Sequence, residues 1–526
     1  MVAGHEYEKA AALAPDDPTP LSNLSSVKFE LGDYSSAAEY ILKALELTRD
    51  DTDAAAKKKR TLHERLAKCY VHERRFEQAR AISDEIGDGA SADGILGGLE
   101  ALSAWAATAS DEEDAPAHPR LILDRLPRLM TNLDNLTEYY AIGHDMAESL
   151  FDDRLQKSRS SQDSVALMFC GSGDARHVIT TLVMMGIQEM TRKKRLCKDL
   201  HITLVDINAA AIARTLILVD MIVVYSALKV QKTPGIEDAP AIMAYLYATQ
   251  VVPAVVNEKL QMHIAALLSN LENGDEPLYD WLYVPPATRK AVAQVLRRWQ
   301  NPPQDRCYSP RVIRRTVLAK IKRERAKTSA MYGHNRSMEA EPGFELDRRS
   351  FDDLGVVLPS KGFAERRDEP LVAMMEEYRK GSKAAKEKLA AHIDENWVTN
   401  LTLIDFDYSE ARNNANDPLY PMFDDEAKVP SIESDPTELA KMLPALAGGE
   451  GVLGTVGDFF TCTALILLRL GTQNRLMLEA MVGEMTDVME RLRWDCLESR
   501  SPSPDAKIDP AKFPRQYDRI HMSNIP

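Results

Sequence analysis

A short apolar run, Ser164 to Cys170, leads directly into Gly171-Ser172-Gly173-Asp174-Ala175-Arg176-His177, followed by a helical pattern carried by Val178, Leu182 and Met185. Glycines at a strand-to-helix switch let backbone N–H groups approach a ligand and aim a helix N-terminus at it. A second apolar run, His201 to Ile207, contains Asp206 near its tip, where an acidic side chain is suited to receive ribose hydroxyls. These types and spacings predict capture of a nucleoside-bearing molecule by Gly171, Gly173, Asp174, Arg176 and Asp206. Arg176 opposes the dipole in the first turn of its helix, so it calls for an anionic contact or a salt bridge with Asp174 or another carboxylate. Plainer readings share the same residues: the glycines serve only a tight turn, and Asp206 caps the following helix through N–H bonds.

The elements that must hold these groups are two strands buried on both faces, hence a parallel sheet. Asp206 lies 35 residues past Gly171, against a usual spacing of about 20, which predicts an extended intervening helix ending in the basic run Arg192 to Arg195. Further on, Trp397 to Tyr408 reads as a strand carrying Asp405 and Asp407, either an acid/base or metal pair or a solvated strand end. Gly454 to Asp458 precedes an apolar helix from Phe459 to Leu470, with Asp458 as its expected N-cap. Tyr517 to Pro526 reads as a strand and a turn.

Between about 232 and 395 the pattern is mostly helical, broken at Pro285-Pro286, Pro302-Pro303 and Glu341-Pro342-Gly343. Arg311 to Lys327 carries eight basic residues against one acidic residue. Such a helix could meet an acidic partner or RNA. It could equally be a solvated amphipathic helix, since Val312, Val317, Leu318 and Ile321 form a packing stripe and no aromatic residues interleave for base stacking.

The first 110 residues have a different character. Residues 15 to 48 place apolar and small side chains at helical spacing on both sides of Leu31-Gly32-Asp33-Tyr34, and a second copy runs from Leu66 through the Arg74-Arg75-Phe76 turn to Ile82. Tyr34 and Phe76 lie 42 residues apart, so a longer first helix through the charged run Ala54 to Arg60 is expected. Through Leu31, Gly32, Tyr34, Ala37, Ala44, Phe76 and Ala79 this segment resembles the tetratricopeptide repeat family, whose usual period is about 34 residues. The resemblance implies a protein-binding array, with Gly4 to Pro15 as the second helix of an earlier unit. It also raises Asn23 and Arg65 as candidate clamps for an acidic C-terminal tail, beside the reading of both as ordinary surface residues. An acidic, proline-ended linker is expected at 111–118, and helical pattern resumes from Pro119 to about Asp153.

Bulk properties narrow the function classes. The 526 residues are 44% hydrophobic and 28% charged, enough for several globular domains. A formal charge of −15 disfavours general binding to nucleic acid or anionic lipid. The six cysteines show no CxxC pair or zinc spacing and read as reduced thiols in a cytoplasmic compartment. The most apolar stretch, Ala209 to Val230, contains Arg214 and Asp220, so it reads as a buried helix and no membrane is expected as a partner.

Together the two strands and the glycine turn resemble the start of class I, S-adenosylmethionine-dependent methyltransferases. The chain departs from that pattern at Phe169, where an acidic residue is usual; the third small turn residue is here Ala175. The resemblance implies a Rossmann-like sheet with S-adenosylmethionine as the possible cofactor, and it places Asn524-Ile525-Pro526 at the start of a polar-Pro motif near the methyl group. The strings MFCGSGDARHV, TLVDIN and YDRIHMSNIP also resemble the domain of unknown function 4470 family over about residues 120 to 526. That family is found in fungal proteins with tetratricopeptide repeats or zinc fingers and in an axonemal dynein assembly factor. The expected architecture is thus α/β: helical hairpins over 1–110, then a methyltransferase-like domain over 119–526 with a large helical insertion, and later strands missing beyond the C-terminus. Two functions are expected from it: an adaptor or assembly factor, or a methyltransferase of unknown acceptor.

Overall fold

The computed structural model describes residues 2–48, 52–83, 85–86, 90–108, 117–126, 139–143, 145–158, 162–273, 276–302, 308–332, 343–404, 406, 435–444, 446, 450–502 and 506–522. The expected linker therefore lies largely outside the described residues, as do Asp405, Asp407 and Asn524. The chain divides into two units, one comprising Met1–Leu133 with Met489–Leu497, the other Asp134–Val488 with Glu498–Pro526.

In the larger unit both apolar runs form strands covered on each face, as their lack of alternation requires. β1 (Val165–Cys170) and β2 (Leu200–Asp206) are buried at every position and pair in parallel, with Cys170 opposite Val205. The helix between them, Arg176–Arg192, ends at Lys193 in the left-handed conformation, so a long helix fills the wide spacing between glycine turn and carboxylate. A parallel sheet of five strands results, in the order β4 (Leu282–Tyr283), β6 (Leu476–Val482), β2, β1, β7 (Arg519–Met522).

Four expectations are refined or overturned. The segment 232–395 is mainly helical but also supplies β4 to the sheet, and β3 (Val251–Pro253) pairs antiparallel with β5 (Trp397–Thr399) in a separate ribbon. The strand expected from Trp397 to Tyr408 stops at Thr399, because Asn400 turns the chain into a 3₁₀ turn by accepting from Thr402 N–H. Asp458 is not an N-cap; it lies inside the helix Gly451–Thr472, whose apolar length overrides the two glycines. The stretch 139–152 is irregular where described rather than helical, since its carbonyls serve buried arginines described below.

Two helices, Ala209–Val230 and Gly451–Thr472, are long and apolar enough to cross a membrane by length and composition, but 78% and 61% of their most apolar windows are buried within the fold. The second crosses the helix Arg176–Arg192 at Gly186, where a Cβ would lie 2.0 Å from Ile466 Cδ1. The basic helix expected around Arg311–Lys327 spans Pro310–Tyr332. It buries Ile313 and Val317, and Arg314 turns inward to Asp394 Oδ1 at 3.0 Å and the Leu354 carbonyl at 2.7 Å.

The smaller unit is all helical: Val2–Leu13, Pro18–Glu30, Tyr34–Leu47, Asp53–His72, Phe76–Ser83, Ala90–Ala106 and Ala117–Arg125. Gly32 (φ 75°) and Arg74 (φ 60°) occupy the left-handed position of the reversals. The 20-residue helix Asp53–His72 absorbs the long spacing between Tyr34 and Phe76. Its core is small and aliphatic, with Ala37, Ile41, Ala44, Leu62, Leu66 and Ala79 fully buried, while Tyr34 stacks on His72 at 3.9 Å. Residues Met489–Leu497 join this unit through Arg491, which donates to Asp124 Oδ1 at 2.6 Å, and through Arg120, which donates to the Trp494 carbonyl at 2.7 Å.

Candidate functional site

The chain leaves β1 through Gly171 (φ 66°) and Gly173 (φ 50°), conformations that favour glycine. Ala175 takes the same region at φ 59°, a strain of about 1 kcal/mol. Parallel pairing sets this turn beside the tip of β2, so Gly171, Gly173, Asp174, Arg176 and Asp206 do come together.

Their polar groups are turned on one another. Gly171 and Ser172 N–H donate to the Val205 carbonyl at 2.9 and 3.1 Å, and Ala175 N–H to the Ser172 carbonyl at 2.9 Å. Gly173 N–H donates to Asp206 Oδ2 at 2.8 Å, and Arg176 N–H to Asp174 Oδ1 at 3.2 Å. Asp206 Oδ1 accepts from Asn208 N–H at 2.9 Å, and it is Asn208, not Asp206, that caps the next helix by accepting from Ala210 N–H. Asp206 is 8% exposed. Burial raises its pKa, and the two N–H bonds only partly oppose that.

Arg176 takes the salt-bridge alternative. It is 1% exposed, with Nη2 at 2.6 Å from Asp174 Oδ2 and Nε at 3.0 Å from both carboxylate oxygens. Its remaining donors hold the irregular stretch, reaching the Gly143 carbonyl at 2.7 Å and the Asp145 carbonyl at 2.9 Å. Burial pushes Asp174 upward, but the adjacent Arg176 charge and hydrogen bonds leave its carboxyl below the usual range. His177 accepts from Glu148 N–H at Nδ1, 3.1 Å away, which leaves its proton on Nε2. Its ring lies 4.2 Å from that of His521 on β7, and burial lowers the pKa of both, keeping them neutral near pH 7.

Sequence reasoning missed the second buried cation. Arg214 is 1% exposed and donates to the Ala141 carbonyl at 2.7 Å and the Tyr247 carbonyl at 2.6 Å, capping the helix Ala239–Ala248. Asn400 completes that cap through the Leu246 and Thr249 carbonyls. The available signal was Arg214 itself, a charge that, with Asp220, interrupts a long apolar helical run.

The tail-clamp candidates lie in the helical unit. Arg65 Nη1 bridges to the Ser22 carbonyl at 3.2 Å and to Ser25 Oγ at 2.8 Å, so it ties two helices of that unit together, and Asn23 is half-buried. Among the described residues no group of three or more His, Cys, Asp or Glu side chains is placed to hold a metal ion.

At the opposite, amino edge of the sheet lies a cleft of 640 Å³ lined by the starts of β1, β2 and β6 and by residues leading into β7. Beneath it, Glu479 and Arg500 form a buried ion pair at 2.6 Å.

The profile of a family described as Domain of unknown function (DUF4470) matches residues 141–252. That stretch encloses the glycine turn, Asp206, Arg176, Arg214 and Tyr247. No curated protein and no solved structure matches the chain.

Proposed function

We propose that this chain is a protein-interaction adaptor or assembly factor, in which a tetratricopeptide-like helical unit holds a client and a Rossmann-like, methyltransferase-like sheet serves as a rigid platform. The observation that carries this reading is the internal use of the turn. The amides of Gly171, Ser172, Gly173, Ala175 and Arg176 all donate within the protein, and the Asp206 carboxylate that would take ribose hydroxyls accepts two of the chain's own N–H groups. As they stand, these residues do not fit S-adenosylmethionine, because a nucleoside would first have to separate Asp206 from Gly173. Support for the helical half comes from its helix reversals at Gly32 and Arg74 and the small residues buried between its helices.

One observation favours the alternative, a methyltransferase of unknown acceptor. Ser172 Oγ is buried at the centre of the turn without a hydrogen-bond partner among the described residues, a state that costs about 1–3 kcal/mol unless something meets it. Calorimetry with S-adenosylmethionine separates the readings. The adaptor reading expects no saturable heat from the full chain; heat that saturates and vanishes in Asp206→Ala would replace it with the enzyme. In parallel, removal of residues 1–110 is expected to abolish co-purification of clients while the sheet unit keeps its melting transition, and unchanged client recovery would count against an adaptor.

A further inference from the structure

The amino edge of a parallel sheet is not where a nucleotide-type turn operates, yet this sheet has its 640 Å³ cleft there. That volume lies within the range of about 300–1,000 Å³ typical of small-molecule sites. Val165, Leu200, Leu476, Phe513 and Pro514 give it apolar walls.

The charged side chains on its lining are all engaged. Arg475 is neutralised by Glu189, with contacts of 2.6 and 3.0 Å, and Lys512 lies 3.4 Å from Asp509. Asp199 accepts from Ser164 Oγ at 3.1 Å and lies 3.7 Å from Lys198. Asp518 accepts from Ala166 N–H at 2.9 Å and has a further partner. Asn474 and Gln516, also on the lining, are exposed and carry no charge. An ion entering here would give up water without gaining a free counter-charge, so the cleft favours an uncharged occupant.

His201 lines the cleft and is 9% exposed. Burial holds its pKa below the ordinary histidine value, so the ring is neutral near pH 7. Its tautomer follows from the network beneath it. Arg500 Nη2 donates to Tyr517 Oη at 2.6 Å, so Tyr517 directs its own proton to Thr203 Oγ1 at 2.9 Å. Thr203 has a single proton, donated to Glu479 Oε2 at 2.8 Å, and its oxygen can therefore only accept from His201 Nε2 at 3.1 Å. The ring proton sits on Nε2, and Nδ1 is left as a lone-pair acceptor. Among the described residues Nδ1 has no partner, and it is not enclosed as the orphaned Ser172 Oγ is, so it opens on the cleft that its ring lines.

A neutral acceptor between apolar walls calls for a strong uncharged donor on an apolar body. A phenol hydroxyl is such a donor, and with a pKa of about 10 it keeps its proton at neutral pH. We propose that this cleft binds a small uncharged phenol, whose hydroxyl donates to His201 Nδ1 and whose ring lies against Phe513 and Pro514. The site is independent of the carboxyl-edge turn and of the adaptor reading. Phenol titrated into the full chain at pH 7.5, followed by calorimetry, is expected to saturate. Anisole, which is more apolar but has no proton to donate, is expected to bind about threefold to tenfold more weakly. His201→Phe keeps a flat ring but removes the acceptor, so phenol should there bind no better than anisole. Absence of saturation by phenol, or anisole binding as tightly as phenol to the wild-type chain, overturns the proposal. So does an undiminished preference for phenol in a folded His201→Phe variant, or tighter binding of benzoate or benzylammonium than of phenol.

Discussion

The Asp174–Arg176 pair shows why a side chain's type does not announce its role. Arg176 stands in the first turn of a helix, where a cation is disfavoured, and the fold compensates it with a buried carboxylate two residues earlier. Asp174→Asn is expected to destabilise the larger unit by about 3–5 kcal/mol, because it leaves Arg176 buried without its counter-ion. The double variant Asp174→Leu with Arg176→Met should lose less than Asp174→Asn alone, measured by urea denaturation; a larger loss would mean that the pair's hydrogen bonds to the Gly143 and Asp145 carbonyls matter more than its charge. Asp347 behaves in the opposite way. Burial pushes its carboxyl up to about 6 against an ordinary 3.8, although it accepts from Val452 N–H at 2.6 Å. A raised folded pKa contributes stability that is complete below about pH 4 and is lost as pH rises through 6. Asp347→Asn should therefore melt higher than the wild type at pH 7, with the gap narrowing at pH 5 and closing only below about pH 4; a gap that is constant between pH 7 and pH 4 would refute the assignment.

Between elements, contact distance rather than composition sets the tolerance to change. Gly186 lies in a helix interior, where alanine would ordinarily stabilise by about 1 kcal/mol. Here the added methyl would meet the Ile466 side chain at 2.0 Å, so Gly186→Ala is expected to destabilise by about 1–3 kcal/mol through overpacking. Combining it with Ile466→Ala should recover part of that loss in a double-mutant cycle, and strict additivity would show that the two helices do not touch there. Arg214 acts at the same scale, since one guanidinium satisfies the last carbonyls of one helix and a carbonyl of the irregular stretch. That irregular stretch reads as helical by pattern alone, and it escapes the helix because buried arginines offer its carbonyls better-placed donors.

For the whole molecule, chain connectivity and structural membership do not coincide. Met489–Leu497 belongs to the helical unit although it follows β6 of the sheet unit in sequence. Leu492 is 5% exposed, and Leu492→Ala is expected to cost about 2–5 kcal/mol and to speed hydrogen exchange in the helix Ala117–Arg125. Unchanged exchange in that helix would show that the segment contributes nothing to the unit's stability. A helical unit closed by a remote segment also cautions against equating the first 110 residues with its full extent.

The sequence by itself determined the elements whose physics is local: the two unalternating strands, the glycine turn with its positive φ, the long helix implied by a 35-residue spacing, and the helix reversals at Gly32 and Arg74. Tertiary structure decided everything that depends on who sits opposite whom. It spent the turn's amides on Val205 and Asp206, paired Arg176 inward, drew β4 out of a helical insertion, and gathered His201, Thr203, Glu479, Arg500 and Tyr517 beneath one cleft from three distant stretches. Periodicity records which face of an element is buried. A hydrogen bond between residues 276 positions apart, as between Thr203 and Glu479, leaves no trace in the local pattern, because its partner is chosen only when the strands align.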